Sequence, residues 1–245
     1  MRKLLFTCVL LLSVVGLFAQ SAAELKNAGN AALKAKDYKT ALENFEKFMG
    51  APDTFEDAAV VFNSAYSAIK VKEYEKAVKY FDQSITAKYK LSSAYRFKAI
   101  ALKKMNKVDE MVATLKAGIE ACPTKNKKML KTLGTHYLKE GVAAQKANKN
   151  DVAVAAFTKA AELKYKKNQV NAFLSLGTLY YNEGAKILQA ATPIANSNPD
   201  KYKAEKGKAM NSFNKAIEYL NKAGELDPAN EAVKGQIAAV KGAMK

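Results

Sequence analysis

Tryptophan is absent from this 245-residue sequence, which holds only one histidine, two cysteines, five prolines and twelve glycines. A lone imidazole, His136, has no partners at metal-ligand spacing, so neither zinc-protease chemistry nor a histidine-based metal site is expected. No GxSxG elbow, HExxH helix, CxxC pair or glycine-rich phosphate loop occurs, and no stretch alternates with the period of two that marks a strand. These absences argue against an enzyme and against any cofactor or metal. Scarce proline and glycine also remove the usual interruptions of a helix.

Cysteine usage is just as restrictive. Cys8 lies in an apolar N-terminal run, and Cys122 precedes Pro123. With the first removed by processing, no internal disulfide can form, and Cys122 reads as a small packed residue. Beyond that first run, no segment is apolar for long enough to cross a bilayer.

Alanine and lysine dominate what is there, and hydrophobic residues make up 49% of the chain, ample for a helical core. Arg2 and Lys3 precede an apolar stretch through Phe18, followed by Ala19-Gln20-Ser21-Ala22-Ala23. A basic start, a short apolar centre and a small-residue exit form a secretory signal peptide, expected over residues 1–19, with cleavage after Ala19. The mature chain is then exported, to the periplasm or beyond. Loss of Arg2 and Lys3 lowers the formal charge from +17 to +15 and leaves Arg96 as the one arginine.

A repeat runs through residues 20–245. KDYKTALENFEKFM (36–49) and KEYEKAVKYFDQSI (72–85) match in kind, with Tyr38, Ala41 and Phe45 answering Tyr74, Ala77 and Phe81. Later copies place Met111 and Leu115, then Ala153, Phe157 and Ala160, then Phe213, Ala216, Leu220 and Ala223. Each copy follows a second helical pattern centred on small residues: Ala28-Gly29, Ser64-Ala65, Lys98-Ala99, Glu140-Gly141 and Glu183-Gly184. The small residue lets a neighbouring helix come close, and the later aromatic fills the space between the two.

This pattern resembles the tetratricopeptide repeat, a helix–turn–helix unit of 34 residues. The resemblance covers about Ala22 to Pro228. It implies an all-α solenoid of about five repeats, near 22–55, 58–91, 92–125, 126–166 and 170–228, with a C-terminal capping helix over 230–245. Lys98 and Met111 make the third copy irregular. The spacing lengthens by roughly eight residues before the fourth copy, near Pro123 to Lys128. It lengthens by roughly 29 before the fifth, which predicts an extended hairpin with its tip near Pro193 to Asp200.

The resemblance further implies a non-enzymatic scaffold that binds a protein or peptide in a groove lined by the first helix of each pair. Carried onto this chain, the groove residues are Lys26, Asn30, Phe62, Asn63, Tyr66, Arg96, Ile100, Leu138 and Tyr181. Cations, amides and aromatics together suit a peptide with carboxylates and an apolar anchor, so the partner is expected to be acidic. Lys26, Asn30 and Asn63 also match the clamp that some relatives use for a terminal carboxylate. The remaining cationic positions fall on Ser93 and Phe97, and Arg96 is one residue off, so that clamp is incomplete. The lysine excess supports an alternative, binding of anionic polymers or membrane surfaces. With one mature arginine and lysines interleaved with acids, nucleic acid is the less suited partner. Glu140 and Glu183 sit at equivalent repeat positions, which favours a structural role over an acid–base pair.

Overall fold

The computed structural model describes residues 20–51 and 57–245. The signal-peptide reading over residues 1–19 lies outside the described residues. Eleven α-helices succeed one another among the described residues, with no strand. The pairs are α1 (Ala22–Lys34) with α2 (Tyr38–Gly50), α3 (Ala58–Lys70) with α4 (Tyr74–Thr86), and α5 (Leu91–Lys104) with α6 (Val108–Ala121). Then come α7 (Lys127–Lys146) with α8 (Asn150–Glu162), α9 (Lys166–Ala191) with α10 (Pro199–Leu226), and a last helix, α11 (Glu231–Ala243). The all-α paired architecture expected from the repeat is what the chain adopts.

Local chemistry sets many of the helix starts. Ser21 and Glu24 close a reciprocal capping box at α1. Asp37 accepts from the Thr40 amide at α2, and Asn198 precedes Pro199 at the first position of α10. Four of the turns within pairs share one geometry. Lys36, Lys72, Asn106 and Asn148 all take left-handed φ, at 62°, 68°, 60° and 57°. In each, the following amide bonds back to a carbonyl five residues earlier, as Asp37 N does to Ala32 O at 2.9 Å. That is a Schellman ending built without the glycine that would relieve it.

Two compact units divide the chain at Gly118 and Ile119. In the first unit α1, α3 and α5 lie side by side, with α2 and α4 packed between them. Polar contacts tie the layers. Lys98, the residue that breaks the repeat pattern, reaches from α5 to Asp82 of α4 at 2.6 Å. Glu46 of α2 takes a hydrogen bond from Tyr80 Oη at 2.8 Å and pairs with Lys76 Nζ at 2.9 Å. In the second unit α7 packs on α8, α8 on α9, and α9 along α10, with α11 against both α9 and α10. Val233 and Val240 bury the inner face of α11.

The extra residues of the fourth pair are mostly helix. α7 has 20 residues, against 13 or 14 for the first helices before it, while the loop ahead of it is short. The extended hairpin of the fifth pair is made by α9 with 26 residues and α10 with 28, joined through a 3₁₀ turn at Thr192–Ile194.

Inside the pairs one contact recurs. A Cβ placed on Gly29 would stand 2.5 Å from the Phe45 ring, and one on Gly141 would stand 2.5 Å from Phe157. At Gly184 the same atom would meet Phe213 at 2.8 Å. Phe45, Phe81, Phe157 and Phe213 are all fully buried. In the third pair Leu115 stands at the aromatic's place in the repeat and is equally buried, as is the small Ala99. The packing therefore needs small residues on one helix because it needs a large ring on the other.

Stability variants test this directly. Gly141→Ala should cost about 1–3 kcal/mol, because Phe157 must move out of a close-packed site. Gly207→Ala lies in open space within α10 and should gain about 0.5–1 kcal/mol. Lys72→Gly should also stabilise, by about 0.5–1 kcal/mol, through release of left-handed strain. Urea unfolding of each full-length variant gives the sign.

Asp57 supplies a pH test. It caps α3 by accepting from the Ala59 and Val60 amides, and its other oxygen takes the Lys26 ammonium at 2.7 Å. The Lys26 hydrogen bond, opposed by burial, holds the Asp57 carboxyl below its ordinary value. Its stabilisation is therefore full above the usual carboxylate pKa and lost as pH falls through the lower folded value. Asp57→Asn keeps a capping oxygen and loses the ion pair. It should cost less than about 1 kcal/mol at neutral pH, and thermal melts of the two proteins should converge as pH approaches about 2.

Candidate functional site

The first unit assembles an aromatic and cationic cluster from three of its helices. Tyr66 of α3 meets the edge of Phe97 of α5 at 5.4 Å and the edge of Tyr38 of α2 at 6.0 Å. The Lys70 ammonium lies over both tyrosine rings, 5.5 Å from Tyr38 and 5.3 Å from Tyr66. The Arg96 guanidinium stacks over Phe97, its Cζ 4.0 Å from the ring centre. Phe97 in turn lies parallel to the buried Phe81 ring at 5.9 Å. The cluster is thus one continuous ring contact from core to surface.

Arg96 is the chemically distinctive member. It is half-buried, and among the described residues it forms no ion pair. Burial pulls its pKa below the ordinary arginine value, with the Tyr66 interaction opposing. A guanidinium that is poorly solvated and lacks a carboxylate is suited to an incoming anion, which would bond to it bidentately.

The expected groove residues divide. Tyr66 and Arg96 join the cluster. Phe62 does not present its ring to a partner: it is 6% exposed and packs edge-on against Phe81, Tyr89 and Phe97. Its core role is a correction to the expected list, caused by the aromatics of α4 and α5 closing over it. Lys26 is engaged by Asp57. Asn30 is exposed on α1, and Asn63 and Ile100 are half-buried on α3 and α5. Leu138 and Tyr181 belong to the second unit. Leu138 borders a shallow hollow of about 400 Å³ with Val142 and Ala143, while Tyr181 leans on Phe213 at 5.9 Å.

Three members of the cluster were not on the expected list: Tyr38, Lys70 and Phe97. Lys70 was detectable, since it follows Tyr66 by one helical turn and shares its face. Tyr38 was not, because its repeat role gives no hint that it turns toward α3. Elsewhere two candidates for chemistry have places in the packing. Cys122 is a free, buried thiol. Glu183 accepts from Ser212 Oγ at 3.3 Å, a tie between α9 and α10. Among the described residues no group of His, Cys, Asp or Glu could hold a metal, and no helix is long and apolar enough to cross a membrane.

Comparison with known proteins follows the same lines. The tetratricopeptide-repeat family model matches residues 58–91 and 207–230. No curated protein matches the chain. A crystal structure of a TPR repeats protein from Bacteroides fragilis is 37% identical, over 91% of this chain and 99% of that one, with a TM-score of 0.82. YrrB, described as a TPR protein with an unusual peptide-binding site, is 16% identical over 88% of this chain and 91% of its own, at a TM-score of 0.45. A MamA structure is 18% identical over 88% of this chain and 97% of its own, also at 0.45. With the repeat, the paired helices and a relative aligned along almost its full length, the chain belongs to the tetratricopeptide-repeat family.

Proposed function

We propose that this protein is a non-enzymatic scaffold that binds an acidic protein segment on the aromatic face of its first unit. Proteins of this repeat family are in general protein- and peptide-binding scaffolds. The observation that carries the finer reading is Arg96: a half-buried guanidinium stacked on Phe97, beside Tyr66, with no carboxylate of its own among the described residues. Tyrosine, phenylalanine and arginine are the side chains that anchor interfaces, because they bring large area at low entropic cost. A partner carboxylate would seat on Arg96, and an apolar side chain would lie against Tyr66 and Phe97.

The basic, apolar and small-residue pattern of residues 1–19 supports export, so we place the scaffold in the periplasm or outside the cell. Its partner is then an envelope or extracellular protein.

An array of peptides carrying Asp or Glu beside Leu, Phe or Tyr tests the reading, with lysine-substituted copies as controls. The acidic set should be retained, and Arg96→Ala should weaken it about tenfold, a loss near 1.4 kcal/mol. Tyr66→Ala should weaken binding by a similar factor, with the melting temperature recorded to separate packing from contact. Equal retention of acidic and basic peptides, or affinity unmoved by Arg96→Ala, would overturn the proposal.

A further inference from the structure

The second unit holds a cleft that the aromatic face does not account for. Its volume is about 770 Å³, within the range of small-molecule sites. It opens where α7 begins, α9 begins and the chain passes from α10 into α11. Lys127, Lys164, Lys166 and Lys167 line it, and none of the four forms an ion pair among the described residues. Leu130, Val170 and Tyr165 give it an apolar side. Asp227 is the one carboxylate in the lining, and its Oδ2 already accepts from Asn230 Nδ2 at 3.1 Å.

Helix electrostatics make this grouping unfavourable in the free protein. A helix start carries partial positive charge and favours acids. The starts of α1, α4, α6, α8, α10 and α11 follow that rule with an acid in the first turn, and α2 and α3 have an aspartate cap instead, whereas α5, like α7 and α9, has neither. α7 and α9 have no acid in the first turn. Their opening residues are Lys127 and Lys128, and Lys166 and Lys167. Neither helix start has a side-chain cap bond, at Asn126 or at Tyr165, and the Asn126 Nδ2 donates backwards to the Ile119 carbonyl at 3.2 Å. Two helix starts without side-chain caps and four exposed lysines without ion pairs among the described residues therefore border one space. Folding alone gains nothing from that arrangement, whereas a bound anion neutralises the ammonium groups and takes the free amides.

We infer that this cleft binds a small organic polyanion: two or more phosphate or carboxylate groups among Lys127, Lys164, Lys166 and Lys167, with a planar or apolar body against Leu130, Val170 and Tyr165. Asp227 adds an acceptor for a hydroxyl or amino group of the ligand. The site lies in the second unit, so it stands or falls separately from Tyr66 and Arg96.

Titration calorimetry on the full chain at low salt tests it with ATP as a probe that carries both parts. Tripolyphosphate and adenosine serve as its halves, and citrate as the carboxylate counterpart. ATP should bind with a Kd below about 100 µM, tripolyphosphate about tenfold more weakly, and adenosine not measurably. Lys166→Glu with Lys167→Glu should weaken ATP binding by at least about tenfold while raising the melting temperature, because glutamate suits a helix start. Lys39→Glu with Lys116→Glu makes the same change of net charge on exposed positions of the first unit and should leave binding within about twofold. Lys127→Ala with Lys164→Ala is a second, neutral disruption, read in the same way. The inference is overturned if neither ATP, tripolyphosphate nor citrate binds more tightly than about 1 mM. It is equally overturned if the cleft variants and the first-unit variant weaken binding alike.

Discussion

The fit of one large apolar side chain against a glycine or alanine on the facing helix is the constraint on which everything else rests. Phe45, Phe157 and Phe213 each occupy space that a single methyl group on Gly29, Gly141 or Gly184 would take. Close-packed interiors do not absorb such a change without rearrangement. In the first, fourth and fifth pairs the distance between the helices is therefore set by the absence of a Cβ, and the ring determines how they lie together. Every other feature, including the aromatic cluster and the lysine cleft, sits on helices held at that separation.

That contact also explains why so much of the fold was legible in the sequence. Small-residue positions and the aromatics that answer them recur in order, and a recurring contact leaves a recurring pattern. The third pair shows how far the pattern bends. Lys98 stands where the other pairs have Ala28, Ser64, Glu140 and Glu183, and its ammonium runs out to Asp82. Leu115 serves where the others use phenylalanine, and its burial is just as complete. The lengthening before the fourth pair was visible as a number of residues, but not as helix. A count of residues cannot tell a longer loop from two added turns, and the lysine- and leucine-rich stretch after Asn126 is compatible with both.

The candidate site was less legible, for a physical reason. Periodicity assigns a residue to a face of its own helix but says nothing of what reaches that face from a neighbour. Phe62 and Tyr66 are one turn apart and were placed together. In three dimensions Phe62 is sealed by Phe81, Tyr89 and Phe97, while Tyr66 remains half-buried. The difference comes from aromatics on α4 and α5, and from Tyr89 in the turn between them. These lie up to 35 residues further along the chain.

Charge separates stability from recognition more sharply than packing does. Where an ion pair serves the fold it ties separate helices, α1 to the cap of α3 through Lys26 and Asp57, and α5 to α4 through Lys98 and Asp82. Such partly exposed pairs contribute little each, and their value is in fixing geometry. Arg96 and the lysines at the starts of α7 and α9 do the opposite. They place positive charge that no ion pair among the described residues neutralises, against burial in one case and against the helix dipole in the other. A chain selected for stability alone would replace them with neutral or acidic residues. In a repeat protein each pair depends mainly on its neighbours, so such local costs stay local. That allows one unit to carry an under-solvated arginine and the other an unpaired lysine cluster without either weakening the helix pairs of the other.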